Sequence, residues 1–330
     1  MTLQHNIGQH FIIGFDGPAL TPEFRRLVGQ YKAGNVILFK ENLQSAAQAK
    51  ALCGDIKALI LEETGLPPFI AIDQEGGRVS RLPADMTNIA GAADLAADGV
   101  AAIVEAAALT AAELRRIGVN FNLAPVLDVN SNPANPVIGA RSFGAEPELV
   151  ADLGAAAVAA WERTGILCCG KHFPGHGDTS VDSHLELPCV DKTRAELEAV
   201  ELPPFRRAIA RGIPALMSAH ILFPQLEPRR VPATMSKIII TGLLREELGF
   251  KGLVLSDAME MNAIKQYYGA PRGCIEAIRA GVDIVLVCHD AALMEASLAA
   301  VAETYTNGGF DSAAFDASTE RITQYKRKYA

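Results

Sequence analysis

Three carboxylates stand directly after apolar runs that are typical of buried strands. Asp257 follows GLVLS, Asp73 follows FIAI and Asp128 follows NLAPVL. A carboxylate at the end of a strand can serve as a nucleophile or a metal ligand, or it can cap the next helix, where Asp is favoured. Asp257 and Asp73 are therefore candidates for chemistry, and Asp128 is expected to have a structural or supporting part.

Cationic side chains occupy comparable positions. Lys171 and His172 end the run LCCGKHF and offer hydrogen-bond donors to a polyhydroxylated ligand. The alternative for Lys171 is simple pairing with a carboxylate of the same fold. Arg81 and Arg141 fall in long polar loops, where an arginine is either a solvated charge or a clamp for carboxylates and hydroxyls.

A carboxylate and an imidazole, Asp182 and His184, lie two residues apart in the loop that follows Lys171. The carboxylate can orient the ring and raise its basicity, so that the ring exchanges protons near neutral pH. The loop also contains His172, His176 and Asp178, so spacing alone leaves a metal site as an equal alternative. Metal-dependent barrel hydrolases present a His-x-His pair after the first strand, where this chain has FDG.

The elements that would position these residues are eight short apolar runs separated by helical patterns. The runs show no period-two alternation, which indicates strands buried on both faces. Such an alternation of strands and helices predicts an α/β fold with a single (β/α)8 TIM-type barrel and long βα loops. An open, doubly wound sheet is the competing architecture. The runs are 11–17, 35–40, 69–76, 120–128, 167–175, 215–221, 252–258 and 283–289.

Apolar residues at helical spacing fill the segments between the runs, and several of these segments end at glycine. The clearest are 44–63, 110–118, 148–165, 194–212 and 291–304. The Ala-rich stretch 92–112 is interrupted by charges, which favours a helix over a membrane span.

Composition limits the classes of partner. The chain has 330 residues and a net charge of −8, which argues against nucleic acid and against a membrane surface. Its six cysteines form no CxxC pair and the N-terminus lacks the basic start of a signal peptide, so a cytoplasmic location is expected. No linker composition divides the chain, and residues 1–330 are expected to form one domain.

Five motifs together resemble one family. IDQEGGRVSRL, LAPVLDV, NPVIGARSFG, KHFPGHGDTSVDSH and LSDAMEM occur along nearly the whole chain. In order and spacing they are similar to the bacterial β-N-acetylglucosaminidases of glycoside hydrolase family three, of the single-domain type. Many other members add a second α/β domain, for which this chain is expected to be too short.

The resemblance implies a role for each matched residue. Asp257 matches the nucleophile that forms a covalent glycosyl-enzyme, and His184 matches the general acid/base, paired with Asp182. Most retaining glycosidases use two carboxyl groups about 5–5.5 Å apart, and here an imidazole would replace the second. Sugar-binding roles are implied for Asp73, Arg81, Arg141, Lys171 and His172.

The same resemblance implies a substrate and a setting. It implies release of terminal β-linked N-acetylglucosamine from peptidoglycan fragments during cell-wall recycling, or from chitooligosaccharides. A monomer without metal or cofactor is expected. Three alternatives stay open: opening of the glycosyl-enzyme by phosphate, a broad β-glycosidase, and a metal-dependent barrel hydrolase. A sugar-binding module without activity would have no need of Asp257 together with the Asp182–His184 pair.

Overall fold

A closed barrel of eight parallel strands organises the chain. The computed structural model describes residues 7–179 and 187–330. Each strand pairs with its neighbours in the sequence, and the last pairs with the first. The (β/α)8 barrel is confirmed, and the open doubly wound sheet is wrong. The strands are β1 (Phe11–Ile13), β2 (Asn35–Leu38), β3 (Phe69–Ile72), β4 (Phe121–Asn122), β5 (Leu167–Phe173), β6 (Ala215–Ser218), β7 (Leu253–Ala258) and β8 (Ile284–Val287).

Burial on both faces explains the continuous apolar runs. Alternate residues of β3, such as Phe69 and Ala71, belong to the core inside the barrel. Their neighbours Ile70 and Ile72 belong to the larger core between the sheet and the helices. Both faces of β3 therefore remove apolar surface from water, which is the main favourable contribution to folding.

The helices lie between the strands and match the helical patterns, with two differences. The segment 194–212 is two helices rather than one, because a proline cannot continue a helix but is tolerated in its first turn, where Pro203 lies. The Ala-rich stretch breaks at Gly99, whose φ is 87°. The helices are Pro22–Tyr31, Ala46–Thr64, Ala92–Asp98, Val100–Ile117, Pro147–Glu162, Arg194–Ala199, Leu202–Ala210, a π-helix Ile238–Glu247, Asn262–Lys265, Ala270–Ala280, Ala291–Thr306 and Ser312–Tyr329.

Several strands are shorter than the apolar runs that predict them. β4 has only two residues of the expected run 120–128. Pro125 follows shortly after and has no N–H for a ladder, and parallel pairing resumes as a single bridge between Val126 and Lys171. No helix within 7–179 or 187–330 combines the length and the apolar character needed to cross a membrane.

Helix Ser312–Tyr329 packs at the base of the barrel, where the strands begin. Its Lys326 is fully buried. Nζ donates one hydrogen bond to Gln9 Oε1 and another, of 2.8 Å, to Gly34 O. The ammonium group lies 5.7 Å from the centre of the Phe69 ring. Burial lowers the pKa of Lys326 well below its ordinary value. The beginnings of β1, β2 and β3 are thus tied to the final helix.

Asn35 joins three strands at this base and provides a test of it. Its Nδ2 donates to Gln9 O and Phe11 O at 3.0 and 2.9 Å, and Phe69 N donates to Oδ1 at 3.3 Å. Asn35→Ala would leave these buried groups unpaired, so the free energy of unfolding in urea should fall by about 1–3 kcal/mol. Asn307→Ala, at an exposed position, should change it by less than about 0.5 kcal/mol. Equal unfolding midpoints for the two variants would contradict this account of Asn35.

Candidate active site

A cavity of about 460 Å³ opens at the carboxyl ends of the strands. In barrels of this type the loops that follow those ends build the active site. The cavity brings together six of the eight residues to which the family resemblance assigns a role. Asp182 and His184 lie outside the described residues. The six that line the cavity are Asp73, Arg81, Arg141, Lys171, His172 and Asp257.

Two cations and two carboxylates form a chain of ion pairs along one wall. Lys171 Nζ lies 2.7 Å from both Asp73 Oδ1 and Glu75 Oε1. Arg141 donates through Nε and Nη2 to the two oxygens of Glu75, at 2.8 and 2.7 Å. Lys171 therefore pairs with carboxylates of the barrel, which was the alternative stated for it from the sequence. This pairing does not prevent contact with a sugar, because the same groups line the cavity.

Electrostatics keep this wall charged. Burial alone would lower the pKa of Lys171, but the facing carboxylates of Asp73 and Glu75 outweigh it and hold the pKa above its ordinary value. Burial would likewise raise the pKa of Glu75, but Lys171 and Arg141 hold it well below its usual range. At neutral pH, then, Lys171 is a fixed cation and Glu75 a fixed carboxylate of this wall, which suits a ligand rich in hydroxyl groups.

Asp128 holds the end of β5 and the segment that follows it, which is the kind of supporting role expected from the sequence. Its carboxylate accepts from the backbone N–H groups of His172 and His176 and from His172 Nδ1 at 2.7 Å. Burial raises the pKa of Asp128, but His172 more than offsets this and the pKa is lowered. Desolvation and the neighbouring His172 lower the pKa of His176 to about 4, so this ring is neutral at neutral pH.

Asp257 lies on β7 and is partly exposed in the cavity. Its Oδ1 accepts a hydrogen bond from Ala258 N at 2.8 Å. The next helix begins at Asn262, with Met261 before it, so Asp257 is not its N-cap. Buried His220 supports the strand end, because its Nε2 donates to Ala258 O at 3.1 Å. Asp257 is therefore a carboxylate on a firmly held strand end at the mouth of the barrel.

An aromatic wall that the sequence reasoning missed faces the same cavity. The guanidinium of Arg81 lies 5.9 Å from the centre of the Phe39 ring, and the ring of His289 lies 4.3 Å from it. Glu260 lines the cavity beside His289. Phe39 and His289 lie at or next to the last position of the predicted runs 35–40 and 283–289, and Glu75 stands two residues after Asp73, so strand-end position was the signal that could have found these three. Nothing in residue type or spacing distinguishes Glu260.

The described part of the chain contains no cluster of three or more His, Cys, Asp or Glu side chains arranged to hold a metal ion. His172 and His176, from the loop that raised the metal alternative, bond instead to Asp128 and to Thr179 Oγ1.

The comparison with protein families decides where the chain belongs. The model described as the glycosyl hydrolase family 3 N terminal domain matches residues 2–325. The chain belongs to glycosyl hydrolase family 3. The resemblance drawn from the five motifs is therefore confirmed at the level of the family, and described residues of each motif line the cavity.

Individual relatives agree with this assignment. The Pseudoalteromonas piscicida protein named beta-hexosaminidase A is 39% identical over 332 residues, which cover 94% of this family 3 chain and 56% of that protein. A family 3 beta-N-acetylglucosaminidase from a Paenibacillus species superposes with a TM-score of 0.97 at 43% identity, covering 99% of this chain and 62% of that one. The chain thus spans less than two thirds of these two relatives.

A third relative matches over nearly its whole length. The structure of Neisseria gonorrhoeae NagZ, solved with N-trifluoroacetyl-D-glucosamine, has a TM-score of 0.79 at 32% identity and covers 96% of this family 3 chain and 97% of that one. Its ligand, like the names of the other two proteins, describes that protein.

Proposed function

We propose that the chain is an exo-acting, retaining β-N-acetylglucosaminidase. The observation that carries the proposal is the placement of Asp257 on the strand-end cavity that also holds the Asp73–Lys171–Glu75 wall. A carboxylate at the anomeric carbon and a charged wall for hydroxyl groups are two things that a retaining glycosidase requires. The proposal concerns the activity of the barrel described here. The Pseudoalteromonas and Paenibacillus relatives contain further residues that this chain does not match.

In the first step, an Asp257 oxygen attacks the anomeric carbon from the face opposite the leaving group. The carbon–oxygen bond to the aglycone breaks, and His184 gives its proton to the departing oxygen. In the second step, His184 takes a proton from water, the water oxygen bonds to the anomeric carbon, and Asp257 leaves. Two inversions give net retention. The roles of His184 and Asp182 rest on the family motif alone.

The names of the relatives support the choice of sugar. The proteins from Pseudoalteromonas and Paenibacillus are named as a hexosaminidase and a beta-N-acetylglucosaminidase, and the Neisseria structure holds an N-acylated glucosamine. For this chain we infer terminal β-linked N-acetylglucosamine as the sugar that is released. Within that class we propose peptidoglycan fragments as the natural substrates, in cell-wall recycling, with chitooligosaccharides as the alternative.

Purified chain tests the proposal directly. Chromogenic β-N-acetylglucosaminide, β-glucoside and β-xyloside are assayed with and without phosphate, and with a chelator. Preference for the first substrate, unaffected by chelator and phosphate, with the β-anomer formed first in NMR, supports the proposal. Sugar 1-phosphate would indicate a phosphorylase, and loss of activity in the chelator would indicate a metal-dependent hydrolase.

His184→Ala should slow the enzyme most on substrates with poor leaving groups. A natural disaccharide needs protonation of its departing oxygen, and general acid catalysis typically contributes about 10²–10⁴-fold. An activated aryl leaving group needs little such help. The loss of kcat/KM on the aryl glycoside should therefore be smaller than the loss on the disaccharide by a factor of about ten or more. Asp182→Asn should give a milder form of the same pattern, because it unsettles the imidazole without removing it. Equal losses on both substrates would mean that His184 binds or shapes the site.

A further inference from the structure

Glu260 carries a buried oxygen without a partner beside the proposed nucleophile. It stands three residues after Asp257 and lines the same cavity. Its Oε2 accepts from Cys288 N at 2.6 Å. Its Oε1 has no hydrogen-bond partner anywhere in 7–179 or 187–330. A buried polar atom left unpaired is unfavourable, and a ligand that supplies the missing partner removes that cost.

The anchoring of Oε2 fixes the position of Oε1. Met259 N donates to Leu286 O at 2.8 Å, so the segment before Glu260 continues the ladder between β7 and β8. The residue after β1 packs tightly against Cys288, since a Cβ on Gly14 would lie 2.1 Å from Cys288 O. Glu260 is therefore held against a rigid strand end, and a rigid support is what a recognition group needs.

The barrel order indicates which part of a sugar Oε1 would meet. Lys171 and His172 lie near the carboxyl end of β5, on one side of β7, whereas Glu260 is bonded to the end of β8 on the other. With Asp257 at the anomeric carbon, Lys171 and His172 serve hydroxyl groups on one flank and Glu260 serves the other. Of the two ring atoms next to the anomeric carbon, only carbon 2 bears a hydrogen-bond donor, and an ionised carboxylate oxygen only accepts.

We propose that Glu260 is a specificity-determining residue whose Oε1 accepts a hydrogen bond from the donor on carbon 2 of the sugar. In a 2-acetamido sugar that donor is the amide N–H. The inference rests on the proposed glycosidase function and names one contact of the same site. A competing arrangement exists, because burial raises the pKa of Glu260. A protonated Oε1 would donate to the acetyl carbonyl instead.

Glu260→Gln separates the two arrangements. Its amide oxygen can keep the bond from Cys288 N, which places an NH2 donor where Oε1 stands. If Oε1 accepts from the substrate, kcat/KM for an aryl 2-acetamido-2-deoxy-β-glucoside should fall by about 10–100-fold, mostly through KM. For the 2-deoxy analogue, which has only hydrogen at carbon 2, it should change by less than about threefold. Glu62→Gln, at an exposed position on helix Ala46–Thr64, should change neither.

Equal losses on the two substrates would overturn the proposal and leave Glu260 as a support for the β8 end. Unchanged or improved turnover of the 2-acetamido substrate would overturn it in favour of a donating Oε1. If Glu260→Gln does not fold, the wild-type chain is compared on the 2-acetamido substrate and its 2-O-acetyl counterpart, which lacks the N–H. A loss of about tenfold or more on the ester is expected, and equal kcat/KM contradicts the proposal. A wild-type chain inactive on 2-acetamido substrates would instead refute the proposed function.

Discussion

Asp257→Ala should lower kcat on an aryl β-N-acetylglucosaminide by at least about 10³-fold, because the glycosyl-enzyme can no longer form. The fold should persist, since Asp257 is partly exposed and its Oδ1 accepts from the backbone of the very next residue, so little packing is lost. Unfolding in urea and affinity for free N-acetylglucosamine measure the fold and the site. Asp316→Ala, at an exposed position on helix Ser312–Tyr329, is the matched control and should keep full activity.

Azide makes the same variant diagnostic of a nucleophile. The methyl group that replaces the Asp257 carboxylate is smaller and leaves room for the anion beneath the anomeric carbon. Azide would then form the carbon–nitrogen bond while the aryl oxide leaves, and the product should be the α-glycosyl azide, identified by NMR. The β-azide, or a variant that keeps more than a few hundredths of the wild-type kcat without azide, would remove Asp257 from this role.

Lys171→Met should destabilise the chain and abolish efficient turnover together. It leaves Asp73 and Glu75 without the cation that they share, inside a site where Lys171 itself is only 2% exposed. Removing one partner of a buried ion pair typically costs about 3–5 kcal/mol, measured here as the free energy of unfolding. kcat/KM should fall as well, because the two carboxylates would repel one another and shift.

A second substitution separates charge from packing. Asp73→Asn added to Lys171→Met neutralises the carboxylate that loses its ion pair, whereas Glu75 keeps its bonds from Arg141, so part of the lost unfolding free energy should return. Lys57→Met, at an exposed position on helix Ala46–Thr64, should change the free energy of unfolding by less than about 0.5 kcal/mol. If Lys171→Met unfolds at the wild-type urea concentration, the ion pairs contribute nothing and this interpretation of the wall is wrong.

The strands and most helices could be predicted because they follow from local pattern. Runs such as FIAI are apolar throughout because both faces of a barrel strand are covered, and that requirement is visible in one sequence. The first and last residues of the strands and helices were harder to predict from the sequence. The break between Ala199 and Leu202, and the early end of β4, depend on where a proline or a neighbouring strand interrupts hydrogen bonding.

The site was predictable where residues stand at the carboxyl ends of strands, as Asp73, Lys171 and Asp257 do. Glu75 was missed although it shares Lys171 with Asp73, since a motif does not reveal which of its carboxylates point to the same cation. Glu260 was missed because its importance arises from a backbone N–H group at the end of β8, that of Cys288, which is contributed from about thirty residues further along the chain. Contacts of that kind come from tertiary structure and leave no trace in spacing.

The bonds from Lys326 also constrain the order of events during synthesis on a ribosome. The partners of its ammonium group, Gln9 and Gly34, emerge about three hundred residues earlier. Until helix Ser312–Tyr329 has emerged, the base of the barrel is open to water, and the beginnings of β1 and β2 lack their last partner. Contacts so distant in sequence form late and slow folding, and partly closed intermediates expose strand edges that favour aggregation. Nascent chains of this protein should therefore depend on chaperones until the final helix docks.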